Sequence, residues 1–219
     1  MTALRLAHRG DWRRAPENTL AALLAALEVP GCDGLEFDVR LSADGVPVLL
    51  HDETLERVQG RPERVDALGV AALATAGIPT LAEVLAAIPA TTFLDIELKG
   101  PPSSAPLQVI EAHRGRTLER AVVSSFEPET LAFLAAARPS WPRWLNAEDL
   151  GGVTIGGAVA LGCSGISASW RAIDARSAER VRAAGMALGA WTIRRRSTAE
   201  RLERLGLAFV CLEAAALDG

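Results

Sequence analysis

Lysine is almost missing from this chain of 219 residues: Lys99 stands alone among 23 basic positions, and arginine fills all the others. An ammonium is a compact point charge and a guanidinium a broad planar fork, so a chain that writes lysine once has a steric or chemical use for the smaller cation there. Cysteine is scarce too. Cys32, Cys163 and Cys211 are odd in number, far apart and without a C-x-x-C pair, so neither a disulfide framework nor a thiolate metal site is suggested. They read most simply as small buried hydrophobes. The apolar stretches are alanine-rich, interrupted and too short to cross a bilayer, so no membrane segment is expected. No signal peptide is expected either, because a strand with functional residues at its end begins by about Leu4. Nor is there a basic excess: a net charge of -4 and a pI near 5.5 argue against a nucleic-acid or anionic-membrane partner. Any phosphate binding must be local. No Pro/Gly/Ser-rich linker divides the chain, so one domain over residues 1–219 is expected. The expected location is the cytoplasm, and the sequence sets no oligomeric state.

Short apolar runs do recur, alternating with alanine- and leucine-rich helical patterns. Strands are expected near residues 4–8, 34–39, 46–50, 93–97, 120–124, 142–145, 164–168, 187–192 and 207–212, and helices over 19–28, 80–88, 104–113, 127–137, 174–184 and 198–205. Thr80 with Glu83 three residues on is a capping box. The 46–50 strand follows its predecessor through Ser42-Ala43-Asp44-Gly45, a hairpin-like turn, which leaves about eight strands for a ring. The segment from Thr54 to Ala76 breaks the alternation and reads as an inserted loop opened by His51. A closed (β/α)₈ barrel and a doubly wound open sheet both fit. The barrel is favoured, because polar residues recur at the ends of successive strands, where barrel chemistry sits.

Those polar residues form a constellation. His8 and His51 each end an apolar run, and the pairs Glu36/Asp38 and Glu97/Lys99 are spaced by one residue. Residues i and i+2 of a strand project from one face, so each pair points together. Glu36, Asp38 and Glu97 suit a hard divalent cation, Mg²⁺ or Ca²⁺; zinc fits poorly, with no cysteine or paired-histidine spacing. Arg9 and Lys99 beside such a cation imply an anionic ligand, and phosphate fits. Two histidines supply the base and the acid that phosphoester cleavage needs. Asp52 either orients His51 or is a turn or cap residue.

His8-Arg9-Gly10, Pro16-Glu17-Asn18-Thr19, Glu36-Phe37-Asp38, His51-Asp52, Glu97-Leu98-Lys99, Ser125-Phe126 and Trp191-Thr192 follow one another in this order. In order and spacing, over nearly the whole chain, they resemble the glycerophosphodiester phosphodiesterases. The resemblance implies a TIM-barrel hydrolase that cuts glycerophosphodiesters to glycerol 3-phosphate and an alcohol with a divalent cation. It makes Glu36, Asp38 and Glu97 the metal ligands, His8 and His51 the acid/base pair, and Arg9 and Lys99 the phosphate contacts. Glu17 and Asn18 become supporting residues. Trp191 either walls the substrate pocket, as the resemblance suggests, or caps the barrel core.

The later motifs depart from the family pattern. Trp191-Thr192-Ile193-Arg194 stands where the family shows Trp-Thr-Val-Asn, followed by Arg195 and Arg196; Glu213 stands where a final Asp is expected. The arginines are either a solvated basic loop or contacts for an anionic head group, which leaves the substrate's alcohol open. Trp12, Trp141, Trp144 and Trp170 read as packing or rim residues, and His113 as solvent-facing. Two other functions stay in view. A lysophospholipase D activity would want an apolar loop for an acyl chain, and the 54–76 segment is mostly polar apart from Val70-Ala71-Ala72-Leu73. A non-catalytic barrel that binds phosphorylated ligands would explain the eroded C-terminal motifs.

Overall fold

A computed structural model describes residues 3–218. In chain order its strands are β1 (Leu4–His8), β2 (Gly34–Leu41), β3 (Pro47–Leu49), β4 (Phe93–Leu98), β5 (Ala121–Ser125), β6 (Arg143–Ala147), β7 (Gly165–Ser169), β8 (Ala187–Ile193) and β9 (Phe209–Leu212). All but β3 run parallel in the order β1-β9-β8-β7-β6-β5-β4-β2, and β1 pairs with β2 to close the ring of eight. The barrel is the architecture formed, and the open sheet is not. β3 folds back antiparallel on the second half of β2, with Val39 opposite Leu49 and Leu41 opposite Pro47.

Each expected strand and helix is present within a residue or two of its expected ends. The capping box forms, with Thr80 Oγ1 accepting from Glu83 N–H and Glu83 Oε2 accepting from Thr80 N–H. Outside the 54–76 segment, the α-helix Gly152–Ala160 lies beyond the expected set. Its Gly156 and Gly157 lower intrinsic helicity, and the tertiary frame imposes the helix between β6 and β7.

Period-2 alternation sorts the strands' residues to the two sides of the barrel wall. Leu35, Phe37, Val39, Leu94, Ile96 and Leu98 belong to the large buried cluster that also takes in apolar residues of the surrounding helices. The intervening residues point into the barrel. At its floor Leu6, Val122, Trp144, Phe209 and Cys211 form a separate buried plug, with the Trp144 and Phe209 rings stacked at 4.7 Å. Room for these rings comes from glycine: a Cβ on Gly165 would lie 2.4 Å from the Trp144 ring, and one on Gly189 2.5 Å from Phe209. Above the plug the inward positions turn polar, and the site begins.

The 54–76 segment is more ordered than an inserted loop. It carries short helices at Glu56–Gln59 and Val70–Thr75 and a bridge between Thr54 and Arg64. Its apolar residues turn inward, Leu55, Val65 and Leu73 packing with Val48, Leu50 and Ile78 as a small core of their own. Alternation missed this because each piece is only four to six residues long. All three cysteines are free, and among the described residues no helix is long and apolar enough to cross a membrane.

Candidate active site

Parallel register sets the acidic cluster. Glu36 on β2 lies opposite Asp95 on β4 and Asp38 opposite Glu97, while His8 on β1 lies opposite Glu36. Glu36, Asp38 and Glu97 are all buried, and one oxygen from each lies within 4.8 Å of the others. These three expected ligands therefore come together. Burial, and then the charge of Asp38, pushes Glu36 well above the ordinary carboxylate range and Glu97 up to about 8. Burial acts the same way on Asp38, but Arg9 and Lys99 outweigh it and hold that carboxyl well below its ordinary value. Asp38 Oδ1 has no hydrogen-bond donor, although the Lys99 ammonium lies 3.3 Å away. Adjacent buried carboxylates that take up protons more readily than usual, with one oxygen left without a donor, suit a hard divalent cation.

His8 ends β1, and its motif explains itself structurally. Arg9 and Gly10 both have positive φ, 59° and 86°. Arg9 N–H reaches the Glu36 carbonyl at 2.8 Å, and the Arg9 carbonyl accepts from Asn18 N–H at 3.0 Å. A Cβ on Gly10 would meet the Ala22 backbone at 2.5 Å, so only glycine fits there. Asn18 also has positive φ, 56°, a conformation asparagine tolerates. It supports Asp38 twice, donating from Nδ2 to Oδ2 at 2.8 Å and accepting from Asp38 N–H at 3.2 Å.

Each histidine is bracketed in the same way. His8 Nδ1 is 2.5 Å from Glu213 Oε1, and Arg194 Nε donates to Glu213 Oε2 at 2.6 Å. His51 Nδ1 is 2.6 Å from Asp52 Oδ1, and Arg57 Nε donates to Asp52 Oδ2 at 2.6 Å. A carboxylate only accepts, so each Nδ1 carries the proton and each Nε2 is left to face the site. His8 Nε2 lies 3.7 Å from Glu36. Burial lowers the pKa of both imidazoles. Asp52 is thus the hydrogen-bond partner of His51 Nδ1. His51 arrives from the hairpin strand outside the ring, and its carbonyl accepts from Arg40 Nε at 2.8 Å.

The basic residues are more committed than the sequence reading allows. Lys99 Nζ pairs with Glu97 and Asp38 and lies 5.7 Å from the Phe126 ring centroid. Arg9 pairs with Asp38 Oδ2 at 3.1 Å and Glu17 Oε1 at 2.9 Å. Glu17 in turn takes both terminal nitrogens of Arg57, at 2.8 and 2.7 Å. One unbroken run of ion pairs therefore links His51, through Asp52, Arg57, Glu17 and Arg9, to the acidic cluster.

A cavity of about 190 Å³ opens over this floor. Its walls include His8, Arg9, Glu36, His51 and Glu97, while Asp38, Lys99, Glu17, Asn18 and Asp52 stand behind them. Trp191 walls the cavity, donating Nε1–H to the Ser167 carbonyl at 2.8 Å and meeting Phe126 edge-on at 5.5 Å. Asp95 and Arg57 join the site without having been expected there, and Arg194 and Glu213 join it as partners of one another. Asp95 was legible, being two residues before Glu97 on the same face. It is pushed up to about 7 by burial and accepts from Ser124 Oγ at 2.6 Å. Arg57 left no signal, since its bond to Asp52 depends on how the insertion folds.

The Glycerophosphoryl diester phosphodiesterase family model matches residues 8–215. The chain belongs to this family. Over 144 residues it is 35% identical to Glycerophosphodiester phosphodiesterase 1 of Mus musculus, covering 58% of this chain and 43% of the mouse protein. Over 57 residues it is 53% identical to Glycerophosphodiester phosphodiesterase of Caldanaerobacter subterraneus subsp. tengcongensis, covering 26% and 23%. The chain thus spans less than half the length of these curated relatives. The barrel superposes on a phosphodiesterase of Oleispira antarctica, solved with its product sn-glycerol-3-phosphate, at a TM-score of 0.85 and 29% identity, covering 96% of this chain and 93% of that one. The glycerophosphodiester phosphodiesterase of Thermotoga maritima shares the fold, with a TM-score of 0.83 at 24% identity, covering 100% and 96%.

Proposed function

We propose that this member of the family hydrolyses glycerophosphodiesters to glycerol 3-phosphate and an alcohol, with the whole barrel and its 54–76 insertion acting as one catalytic domain. The observation that carries the reading is the pair of histidines, each with Nδ1 bound to a carboxylate–arginine bracket, on one cavity with three clustered carboxylates. The product bound to the Oleispira protein supports the substrate class.

Glu36, Asp38 and Glu97 would hold a divalent cation, Mg²⁺ or Ca²⁺, which when bound supplies positive charge to the phosphoryl oxygens. The Nε2 of His8, at the depth of the acidic floor, takes the proton of the attacking oxygen, which is water or the substrate glycerol's own 2-hydroxyl, and in the second case water then opens the cyclic phosphate. His51, half-buried nearer the rim, enters the step as an imidazolium and gives its Nε2 proton to the oxygen of the departing alcohol. The negative carboxylate of Glu213 stabilises the His8 imidazolium as it forms, and that of Asp52 favours the charged His51 before it gives up its proton. Arg9 adds positive charge at the cavity wall, and Lys99 holds Asp38 and Glu97 in position. Trp191 bounds the substrate on the far wall. Burial of Leu55, Val65 and Leu73 leaves the insertion poorly suited to an acyl chain, which supports a glycerophosphodiester over a lysophospholipid.

The test is release of glycerol 3-phosphate from glycerophosphoethanolamine or glycerophosphocholine, with Mg²⁺ or Ca²⁺ and then with EDTA. His8→Ala and His51→Ala are expected to lose roughly 10²- to 10⁴-fold in turnover. Near-parental turnover would sink the acid/base assignment. No glycerol 3-phosphate with either metal would favour a barrel that only binds.

A further inference from the structure

We propose that a second cavity, beside the first, receives the alcohol portion of the substrate and selects alcohols that carry an anionic group of their own, a carboxylate or a phosphate. The inference rests on reading the first cavity as the hydrolytic site.

The second cavity measures about 480 Å³ and shares Trp191 and Thr192 with the first. The first, at about 190 Å³, is below the ~300–1,000 Å³ usual for small-molecule sites. It holds one end of a diester, and the other end must continue past its wall. The chemistry of the two cavities differs sharply. Acidic residues dominate the floor of the first. The second is lined by Arg171, Arg194 and Arg195 and by no carboxylate.

These arginines are available. Arg171 lies over the Trp170 ring with its guanidinium carbon 4.6 Å from the centroid, a stacking that holds the side chain and leaves its edge open. Among the described residues, neither Arg171 nor Arg195 has a carboxylate within ion-pair distance, whereas Arg196, next along the chain, is taken up by Glu200 at 3.2 Å. Arg194 gives only its Nε to Glu213, and its side chain is 72% exposed. The helix Arg196–Glu203 begins here without a side-chain cap, adding partial positive charge. In a chain of net charge -4, such a concentration is local. Glycerol is uncharged and would leave the guanidiniums without a partner. A carboxylate or phosphate accepts from them in pairs. Arg194 and Arg195, where the chain leaves the family pattern, therefore contribute to a substrate-selecting wall.

Two substrate pairs isolate the anionic group. Glycerophosphoserine and glycerophosphoethanolamine differ only by a carboxylate; glycerophosphoinositol 4-phosphate and glycerophosphoinositol differ only by a phosphate. With Mg²⁺ at low salt, the member carrying the additional anionic group is expected, in at least one pair, to show about ten-fold higher kcat/KM, as one charge-assisted contact supplies. The advantage should shrink as salt rises. Which pair responds distinguishes a carboxylate subsite from a phosphate one. Arg171→Glu/Arg195→Glu, whose thermal melt checks the fold, should reverse the preference. Equal kcat/KM within both pairs, or a preference for glycerophosphocholine, would overturn the proposal while leaving the hydrolytic reading intact. If no glycerophosphodiester is hydrolysed with either metal, the hydrolytic reading fails first and the subsite with it.

Discussion

Glu213→Gln removes one charge and keeps the shape of the side chain. In the native protein that carboxylate accepts from His8 Nδ1 and from Arg194 Nε, at 2.5 and 2.6 Å. Burial acts to raise its pKa, but the hydrogen bonds and charges of His8 and Arg194 outweigh it and hold the group at about 2, against an ordinary 4.5. That gap, at ~1.36 kcal/mol per pH unit, corresponds to roughly 3 kcal/mol favouring the ionised form. Because the folded pKa lies below the unfolded one, this stabilisation is fully present above pH 4.5 and is lost as pH falls toward about 2. The glutamine variant should therefore be less stable by roughly 1–3 kcal/mol near neutrality. The difference should close as acid is added, which urea unfolding at a series of pH values measures. The kinetic effect follows from the tautomer. A glutamine amide can turn its NH₂ toward Nδ1, moving the ring proton to Nε2, which then cannot accept from the attacking hydroxyl. Turnover should fall by roughly 10²- to 10⁴-fold with little change in KM. If the variant keeps kcat within about three-fold of the parent, Glu213 is packing against His8 and the bracket has no part in the chemistry.

Mg²⁺ or Ca²⁺ at about a hundred times its Kd should raise stability by ~2.7 kcal/mol, seen as a rise in Tm of several degrees that Glu36→Gln/Glu97→Gln abolishes; an unmoved Tm with both metals would refute the triad as a cation site. Lys99→Arg should lower kcat/KM at least about ten-fold, because the broader guanidinium cannot sit between Glu97 and Asp38 as the ammonium does; unchanged turnover would return the lone lysine to compositional chance. Leu73→Ala, in the small core beneath the insertion, should cost roughly 2–5 kcal/mol. It should speed proteolysis within residues 54–76 and lower kcat, since Arg57 would lose its hold on Asp52; faster proteolysis with full activity would separate the insertion from catalysis.

Much of the barrel was legible because its strands are short apolar runs with polar residues on one face. Glu36, Asp38 and Glu97 could be grouped by two-residue spacing alone, and parallel register then did the rest. Asp95 obeys the same spacing, but it sits inside the run Phe93-Leu94-Asp95-Ile96 and was absorbed into the reading of a buried strand. The helix Gly152–Ala160 escaped because two glycines argue against helicity locally, while the frame of β6 and β7 imposes it. The arginine halves of the two brackets could not be read. Arg57 reaches Asp52 from a four-residue helix, and Arg194 meets Glu213 across 19 positions of sequence. Taken one at a time against the family pattern, Arg194 and Glu213 look like erosion. In three dimensions they are partners, the long guanidinium and the longer acid spanning one gap together.

His8 stands at the end of the first strand and Glu213 just after the last, and the pairing of β1 with β9 brings them together. Arming the imidazole and sealing the ring are consequently a single event. His8 and the carboxylates of β2 and β4 lie far from Glu213 in sequence, yet the bracket on His8 is complete only when β9 pairs with β1. A chain cut before residue 213 would carry nearly the whole family signature and still lack the carboxylate that accepts from His8 Nδ1.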